Sequence, residues 1–203
     1  MGFESVLSMA RRLVAERLRP GGGGSRGGPA VDATAGGGVD TLFLARTVGP
    51  GGCVYAFDVQ EAALARTRER LAQHNADAGL ARVELLLAGH ERMLELAPAE
   101  AHGRVQAVMF NLGYLPGGDT AVITKPGTTL AAMEAALALL APGGVLTAVL
   151  YPGHAGGDAE AQAVSAWAAG IPSAIAQAMQ YRFVQKPHAP YLLALVKRQE
   201  EDH

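Results

Sequence analysis

VDATAGGGVDT, residues 31–41, is a short apolar run that breaks into three glycines and then begins a helical pattern. This order predicts a strand, a ligand-binding loop and a helix, because Gly36 and Gly38 let the backbone approach a ligand without a side-chain collision. A second apolar run, residues 54–58, ends in a carboxylate 20 residues after Gly38. A nucleotide ribose would present its hydroxyls at that point. The two runs together indicate a cofactor that contains adenosine.

The loop does not complete the dinucleotide-binding pattern G-x-G-x-x-G, because Thr41 stands where the third glycine is required. Asp40 also puts a carboxylate at the start of the helix, where it would repel a pyrophosphate. S-adenosylmethionine carries a sulfonium and an ammonium and no phosphate, so acidic residues such as Asp32 and Asp40 suit it. We therefore expect a methyltransferase, with a dinucleotide-binding oxidoreductase as the alternative.

The composition fits one enzyme domain, because 203 residues that are 49% hydrophobic can bury a substantial core. We expect an amphipathic helix and a glycine-rich linker over residues 1–29 and the catalytic domain over residues 30–203. The formal charge of −2 gives no polybasic signature. Cys53 is the only cysteine, which leaves no thiolate cluster for zinc, and we expect no metal. With no long apolar run and no signal-peptide pattern, a cytoplasmic protein without a membrane partner is the simplest interpretation.

Apolar runs and helical patterns alternate along the chain, as an α/β sheet requires. Strands are predicted near residues 30–33, 53–58, 82–87, 105–110 and 144–150, and helices near 3–19, 61–78, 127–141 and 158–169. Two further β-rich segments, 181–185 and 191–197, would form a C-terminal antiparallel hairpin. The expected fold class is α/β: a Rossmann-like, mostly parallel seven-stranded sheet with helices on both faces.

The loop NLGYLPGGD, residues 111–119, is unusual because it follows a strand at the edge of the sheet where ligands bind. Asn111 offers a side-chain carbonyl and Tyr114 offers an aromatic face. The alternative is that Asn111 caps a turn and Tyr114 packs in the core. The expected position beside the cofactor favours a functional role for both residues.

Two histidines follow other strands at the same edge. His154 lies in the loop YPGHAGGD, residues 151–158, where it would act as an acid, a base, a substrate contact or simply a turn residue. His90 follows the strand near residues 82–87. We expect it to contact the edge of an adenine, with general-base chemistry or capping of the next helix as the alternatives.

These stretches resemble the rRNA methylase-like family of bacterial class I S-adenosylmethionine-dependent methyltransferases. The resemblance implies methylation of the wobble uridine of transfer RNA, from 5-aminomethyl-2-thiouridine 34 to 5-methylaminomethyl-2-thiouridine. Methylation of another RNA or of a small-molecule amine is the alternative. The segments that carry the resemblance are residues 31–45, 55–60, 89–90, 110–119 and 151–157. The cofactor contacts expected for S-adenosylmethionine are Asp32, Thr34, Gly36, Gly38, Asp40, Thr41, Asp58, Val59, Gln60, Gly89, His90, Asn111 and Gly113.

The chain departs from the family pattern at two places. Gly37 and Val39 stand where the family usually has Asn and His. Thr120 stands where a basic residue often follows the Pro-Gly-Gly-Asp motif, with Lys125 nearby as a substitute. The first departure concerns the details of cofactor binding, and the second concerns RNA contact.

An amine attacks a sulfonium methyl group only when it is neutral and in line with the departing sulfur, so positioning should dominate catalysis. Asn111 would aim the amine, Tyr114 would stack on the uracil, and Asp119 or His154 would help to remove a proton. The tRNA anticodon loop is the expected partner, and a homodimer is also expected. The candidate phosphate contacts, for which a solvated helix face is the alternative, are Arg11, Arg12, Arg17, Arg19, Arg26, Lys125 and Lys186.

Overall fold

The structure, a computed structural model, describes residues 2–19, 28–74, 79–113, 125–153 and 156–199. In these ranges seven strands form one sheet with helices on both faces, which confirms the predicted fold class. The strands are β1 (Ala30–Asp32), β2 (Cys53–Asp58), β3 (Arg82–Leu87), β4 (Val105–Leu112), β5 (Leu140–Leu150), β6 (Ala176–Tyr181) and β7 (Tyr191–Lys197). The α-helices are α1 (Val6–Leu18), α2 (Val39–Val48), α3 (Glu61–Gln73), α4 (Met93–Leu96), α5 (Pro126–Leu139) and α6 (Gly157–Gly170), with short 3-10 helices at His90–Arg92 and Ala99–Ala101.

The strand order is β3-β2-β1-β4-β5-β7-β6. Strands β1 to β5 pair in parallel, whereas β7 runs antiparallel to both β5 and β6. The chain moves from β1 to β2 and β3, then returns to the other side of β1 to form β4, so the order reverses beside β1. Asp32 at the end of β1 pairs with Ala56 of β2 and with Met109 of β4. A ligand site is therefore expected above Asp32, at the carboxyl ends of these strands.

The sheet separates two apolar layers, because successive side chains of a strand point to opposite faces. On one face, Val31 and Val108 belong to a core built with α5 and α6. On the other face, Ala30 and Ala107 belong to a core built with α1 and α2. Helices thus cover both faces of the sheet and leave its edges, where the strands end, uncovered by these two cores.

Helix α1 packs across β4, β5 and β7. Its start is capped by Ser5, whose Oγ accepts from the Ser8 N–H at 3.1 Å. Its buried side chains recur every four residues, which places them on one stripe of the helix. That stripe consists of Val6, Ala10, Val14 and Leu18.

Most of the predicted elements are confirmed, several of them at the expected bounds. Strands β2, β3 and β7 begin and end where the apolar runs predict. Strand β4 is longer than expected, because Asn111 and Leu112 continue to pair with Val149 and Leu150 of β5. Asn111 therefore belongs to the end of a strand, where its backbone is paired with β5, and not to a loop.

The predicted strand over residues 181–185 is wrong. Strand β6 ends at Tyr181, and the following residues form the turn that leads into β7. The turn is closed by the Lys186 N–H, which donates to the Phe183 carbonyl at 3.0 Å, and by the Ala189 N–H, which donates to the Lys186 carbonyl at 3.0 Å. The true strand was hard to find because it is a largely exposed edge without β-branched residues, AQAMQY.

Across the described part of the chain, no helix combines the length and the apolar content that a bilayer crossing needs.

Candidate cofactor and substrate site

Asp32 lies beneath the glycine loop, with only 1% of its surface exposed. Thr41 Oγ1 donates to Asp32 Oδ2 at 2.6 Å, and the Thr34 N–H donates to Oδ1 at 3.1 Å. Burial, and then the neighbouring charge of Asp40, raises the pKa of Asp32 to about 7. Asp32 therefore ties the end of β1 to the start of α2. Its contact with a cofactor stays a prediction.

Asp58, at the carboxyl end of β2, holds the loop from the other side. The Gly36 N–H donates to Asp58 Oδ2 at 2.9 Å, and the Gln60 N–H donates to Oδ1 at 2.9 Å. Each carboxylate oxygen has a second lone pair, so Asp58 can still accept from a pair of neighbouring hydroxyls. Val59 beside it has 56% of its surface exposed, which leaves an apolar surface next to the loop.

The three glycines of the loop have different surroundings. Gly38 has φ +75°, and a Cβ there would lie 2.8 Å from the Thr67 Cα of α3, so only glycine fits. Thr67 Oγ1 donates to the Gly36 carbonyl at 3.2 Å, and Arg70 Nε donates to the Gly37 carbonyl at 2.5 Å. A Cβ on Gly37 would meet nothing within 4 Å. The loop is thus braced from α3, and Gly37 faces open space.

Helix α1 reaches the loop through Arg11. Arg11 Nε and Nη2 both donate to Asp40 Oδ1, at 2.9 and 2.7 Å, and the guanidinium lies 5.8 Å from the centre of the Phe43 ring. The negative charge of Asp40 is therefore paired within the protein. Arg11 is expected from the sequence as a phosphate contact, and its pairing with Asp40 is not predicted, because nothing in the spacing of these residues indicates that α1 lies beside α2.

Asn111 joins β4 to the loop. Its N–H donates to Thr34 Oγ1 at 2.8 Å. Its side chain lies near Tyr151, where it partly offsets the effect of burial on the pKa of that phenol. Burial, and then the charge of Asp40, raises the pKa of Tyr151. A Cβ on Gly113 would lie 3.5 Å from Cδ2 of the Tyr151 ring, which places this ring beside the end of β4. Tyr151 belongs to the motif at residues 151–158, yet no role is predicted for it from the sequence, because Asn111 and Tyr151 are distant in the chain.

His90 is buried, and its ring meets Phe110 edge to face at a centroid distance of 5.8 Å. Burial lowers the pKa of His90, and this effect outweighs the charge of Glu91 and a hydrogen bond that the imidazole donates to the Ala33 backbone, both of which raise it. The imidazole is therefore neutral at physiological pH. It closes the site on the side of β3, where a contact with adenine was predicted.

A buried polar pair, which the sequence analysis missed, lies between α5 and α6. Thr129 Oγ1 donates to Glu160 Oε1 at 2.6 Å, and both residues are buried. The pair fixes the start of α6, the helix that follows the loop after β5. Sequence patterns give no signal for it, because the two residues are 31 positions apart.

Three of the predicted catalytic residues, Tyr114, Asp119 and His154, lie outside the described residues. Lys125 is described as the exposed residue before α5. The structure therefore brings together Asp32, Thr34, Gly36, Asp40, Thr41, Asp58 and Asn111, and it adds Tyr151 and Arg11 to them.

A polar ring at the carboxyl ends of β1, β2 and β4, with an apolar rim, has the chemistry of an adenosyl-cofactor site on a methyltransferase-like fold. Residues 54–197 match the family described as "Putative rRNA methylase", and the chain belongs to this family.

One curated relative is the chloroplastic tRNA (mnm5s2U34)-methyltransferase of Arabidopsis thaliana. The two sequences are 39% identical over 179 residues, which is 86% of this chain. The match spans 65% of the length of that relative.

Solved structures share both the fold and part of the sequence. A Clostridium thermocellum protein of the same description is 33% identical, with a TM-score of 0.86 over 97% of this chain and 100% of that one. A "putative methyltransferase" from Streptococcus mutans, solved in complex with S-adenosylhomocysteine, is also 33% identical, with a TM-score of 0.80 over 97% of this chain and 99% of that one.

Proposed function

We propose that this chain is an S-adenosylmethionine-dependent methyltransferase of transfer RNA. Its substrate would be 5-aminomethyl-2-thiouridine at the wobble position, which it converts to 5-methylaminomethyl-2-thiouridine. The observation that carries the proposal is the 39% identity to a tRNA (mnm5s2U34)-methyltransferase over 86% of this chain. The polar ring at the carboxyl ends of β1, β2 and β4 supports it.

The residues of the site suit an adenosyl cofactor. Asp58 keeps free lone pairs for ribose hydroxyls while it binds the loop through the Gly36 and Gln60 N–H groups. Val59 offers an apolar surface to a flat ring. We propose that the same site is shaped by Asp32, Thr34, Gly38, Asp40, Thr41, Gly89, His90 and Gly113.

The cofactor supplies an electrophilic methyl group when it is bound. The protein must then present a neutral amine in line with that group and keep water away. We propose that the Asn111 side chain accepts an N–H of the amine and so aims its lone pair. Asn111 lies on β4, whose end pairs with β5, and its backbone N–H is bound to Thr34, so its position is fixed before the substrate binds. Tyr114, Asp119 and His154 remain the proposed stacking and proton-accepting residues.

We also propose a homodimer, a cytoplasmic location and a division of the chain at residue 30. Exposed apolar side chains before and on α1 and on strands β6 and β7 support a second copy as partner: Phe3, Leu7, Met179 and Val196. Sedimentation equilibrium tests this, and a monomer at all concentrations would refute the dimer.

The first experiment is methyl transfer from labelled S-adenosylmethionine to tRNA purified from cells that lack this protein, followed by nucleoside mass analysis. We expect one methyl group to be gained on 5-aminomethyl-2-thiouridine. Labelling of ribosomal RNA alone, or cofactor binding without labelling of any RNA, would overturn the tRNA assignment and favour another RNA or a small amine. Asn111→Ala should lower turnover without changing the affinity for S-adenosylhomocysteine, and unchanged turnover would refute its positioning role.

A further inference from the structure

The turn between β6 and β7, residues 182–190, stands at the edge of the sheet that carries the site. The register fixes this position, because Tyr191 pairs with Leu150 at the end of β5 and Leu192 pairs with Tyr181 at the end of β6. The turn also contacts the loop after β5, since a Cβ on Gly153 would lie 3.1 Å from the His188 carbonyl. We call residues 182–190 the rim hairpin.

The rim hairpin has the sequence RFVQKPHAP, with two cations, one histidine and no acidic residue. The Lys186 and His188 side chains are exposed, and neither forms a hydrogen bond or ion pair with a residue of the described ranges. Arg182 is held in place, because its guanidinium lies 5.1 Å from the centre of the Tyr191 ring and donates to the Pro187 carbonyl at 3.3 Å. The hairpin therefore presents positive charge that no acidic residue of the described ranges pairs with.

The cations of α1 differ in this respect. Arg11 is paired with Asp40, and Arg12 lies 3.5 Å from Glu4. Arg17 Nη2 donates to the Gln106 side chain and to the Pro142 carbonyl, each at 3.0 Å. All three arginines are expected from the sequence as phosphate contacts. Arg11 and Arg17 instead attach α1 to the rest of the fold, and Arg12 is paired within the N-terminal segment.

We propose that the rim hairpin is a contact for the phosphates of the RNA substrate, with Lys186 and Arg182 as the two charged groups. The proposal rests on the proposed function, because a target uridine at the carboxyl ends of the strands places its neighbouring phosphates at the rim. Phosphate contacts from Lys and Arg fix the register of a nucleic acid without reading its sequence. Val184, with 81% of its surface exposed, adds an apolar contact for a sugar or base at the tip.

The chain offers a matched control at the opposite edge of the sheet. Arg104 precedes β4 and Arg198 follows β7, and both side chains are exposed. The paired residues 191–196 of β7 separate the two edges by about 20 Å, at roughly 3.3 Å per residue. Replacing Arg104 and Arg198 changes the net charge as much as replacing Arg182 and Lys186 does.

The test is the affinity for unmodified tRNA as a function of salt, measured for the wild-type chain, for Arg182→Ala with Lys186→Ala, and for Arg104→Ala with Arg198→Ala. We expect the rim variant to bind roughly tenfold more weakly near 0.15 M salt, with a log–log salt slope reduced by about 1.5. Its affinity for S-adenosylhomocysteine should not change. The control variant should match the wild type in both measurements.

Lys186→Ala alone serves as a second variant, because this exposed side chain forms no hydrogen bond or ion pair with the described residues. An unchanged salt slope in both rim variants, while the wild type still methylates tRNA, would overturn the rim proposal and leave the proposed function intact. Equal losses in the rim and control variants would also overturn it, since net charge alone would then explain the effect. A wild-type chain that neither binds nor methylates tRNA would overturn the proposed function and the rim proposal together.

Discussion

The glycine loop, residues 33–38, and the rim hairpin lie at the same edge of one sheet, yet they differ in whether their charged groups have partners within the protein. Around the loop, Asp32 and Asp58 each accept two hydrogen bonds from the protein, and Arg11 pairs with Asp40. In the hairpin, the Lys186 side chain has no partner among the described residues. A site for a small cofactor gains from a rigid, preorganised frame. A surface for a long flexible anion needs only accessible charge.

The largest expected effect is that of Gly38→Ala, which tests how rigid the loop is. Alanine at φ +75° costs about 1–2 kcal/mol, and the contact with the Thr67 Cα adds a similar amount, so the free energy of unfolding should fall by about 3 kcal/mol. Urea denaturation measures it. Gly37→Ala is the control, with an expected change below about 0.5 kcal/mol. Equal effects of the two substitutions would show that α3 does not brace the loop.

The next test is the pH dependence of stability, which depends on the buried carboxyl group of Asp32. The pKa of Asp32 is raised to about 7, above its value in the unfolded chain, so the folded state binds more protons between about pH 4 and 7. The stability that Asp32 contributes is complete below pH 4 and is lost as the pH rises through 7. From pH 5 to 7 the free energy of unfolding should therefore fall by roughly 2 kcal/mol more in the wild type than in Asp32→Asn. Parallel pH profiles of the two proteins would contradict this.

Asp58→Ala should weaken the binding of S-adenosylhomocysteine by roughly 30-fold, or about 2 kcal/mol, because it removes charged acceptors that hold the loop and would bind the ribose. Isothermal titration calorimetry measures the affinity. Glu100→Ala, an exposed acidic residue before β4, is the control and should bind like the wild type. Unaltered affinity in Asp58→Ala would reject the ribose assignment.

The ion pair between α1 and α2 should give a smaller effect. A double-mutant cycle with Arg11→Met and Asp40→Asn should yield a coupling energy of about 1 kcal/mol, because the two side chains are 35% and 12% exposed and solvent screens part of the attraction. Thermal or urea unfolding of the four proteins gives the value. A coupling energy of zero would mean that α1 is attached by its apolar stripe alone.

The smallest effect is expected for Lys186→Ala, whose free energy of unfolding should stay within about 0.5 kcal/mol of the wild type. The reason is that its exposed side chain forms no hydrogen bond or ion pair with the described residues. A clear loss of stability would remove the contrast between the two regions, since it would give Lys186 a structural role.

The sequence predicted the strands well where large apolar residues predominate. The apolar runs of β2, β3 and β7 marked their bounds, and the carboxylate at the end of β2 marked Asp58. Edge strand β6 could not be located in this way, because an exposed strand without β-branched residues lacks the pattern of a buried one. The apolar period of a strand reports burial, and only indirectly reports pairing.

The partners of the site residues could not be predicted from the sequence. The links from Arg11 to Asp40, from Asn111 to Tyr151 and from Thr129 to Glu160 join segments that are far apart in the chain. Motif spacing describes what one segment can do locally, whereas these contacts depend on how helices and strands are arranged in space. Candidate residues at strand ends could therefore be named in advance, and their hydrogen-bond partners could not.

The strand order has a consequence for how the protein is made. Strand β7 is the last strand of the described residues, yet it lies inside the sheet between β5 and β6. Lys197, its final residue, also donates to the carbonyls of Leu137 and Leu140 at the end of α5 and the start of β5. During synthesis the far half of the sheet therefore cannot close until residue 197 has emerged from the ribosome. Until then β5 presents an unpaired edge, which is when the nascent chain is most exposed to aggregation.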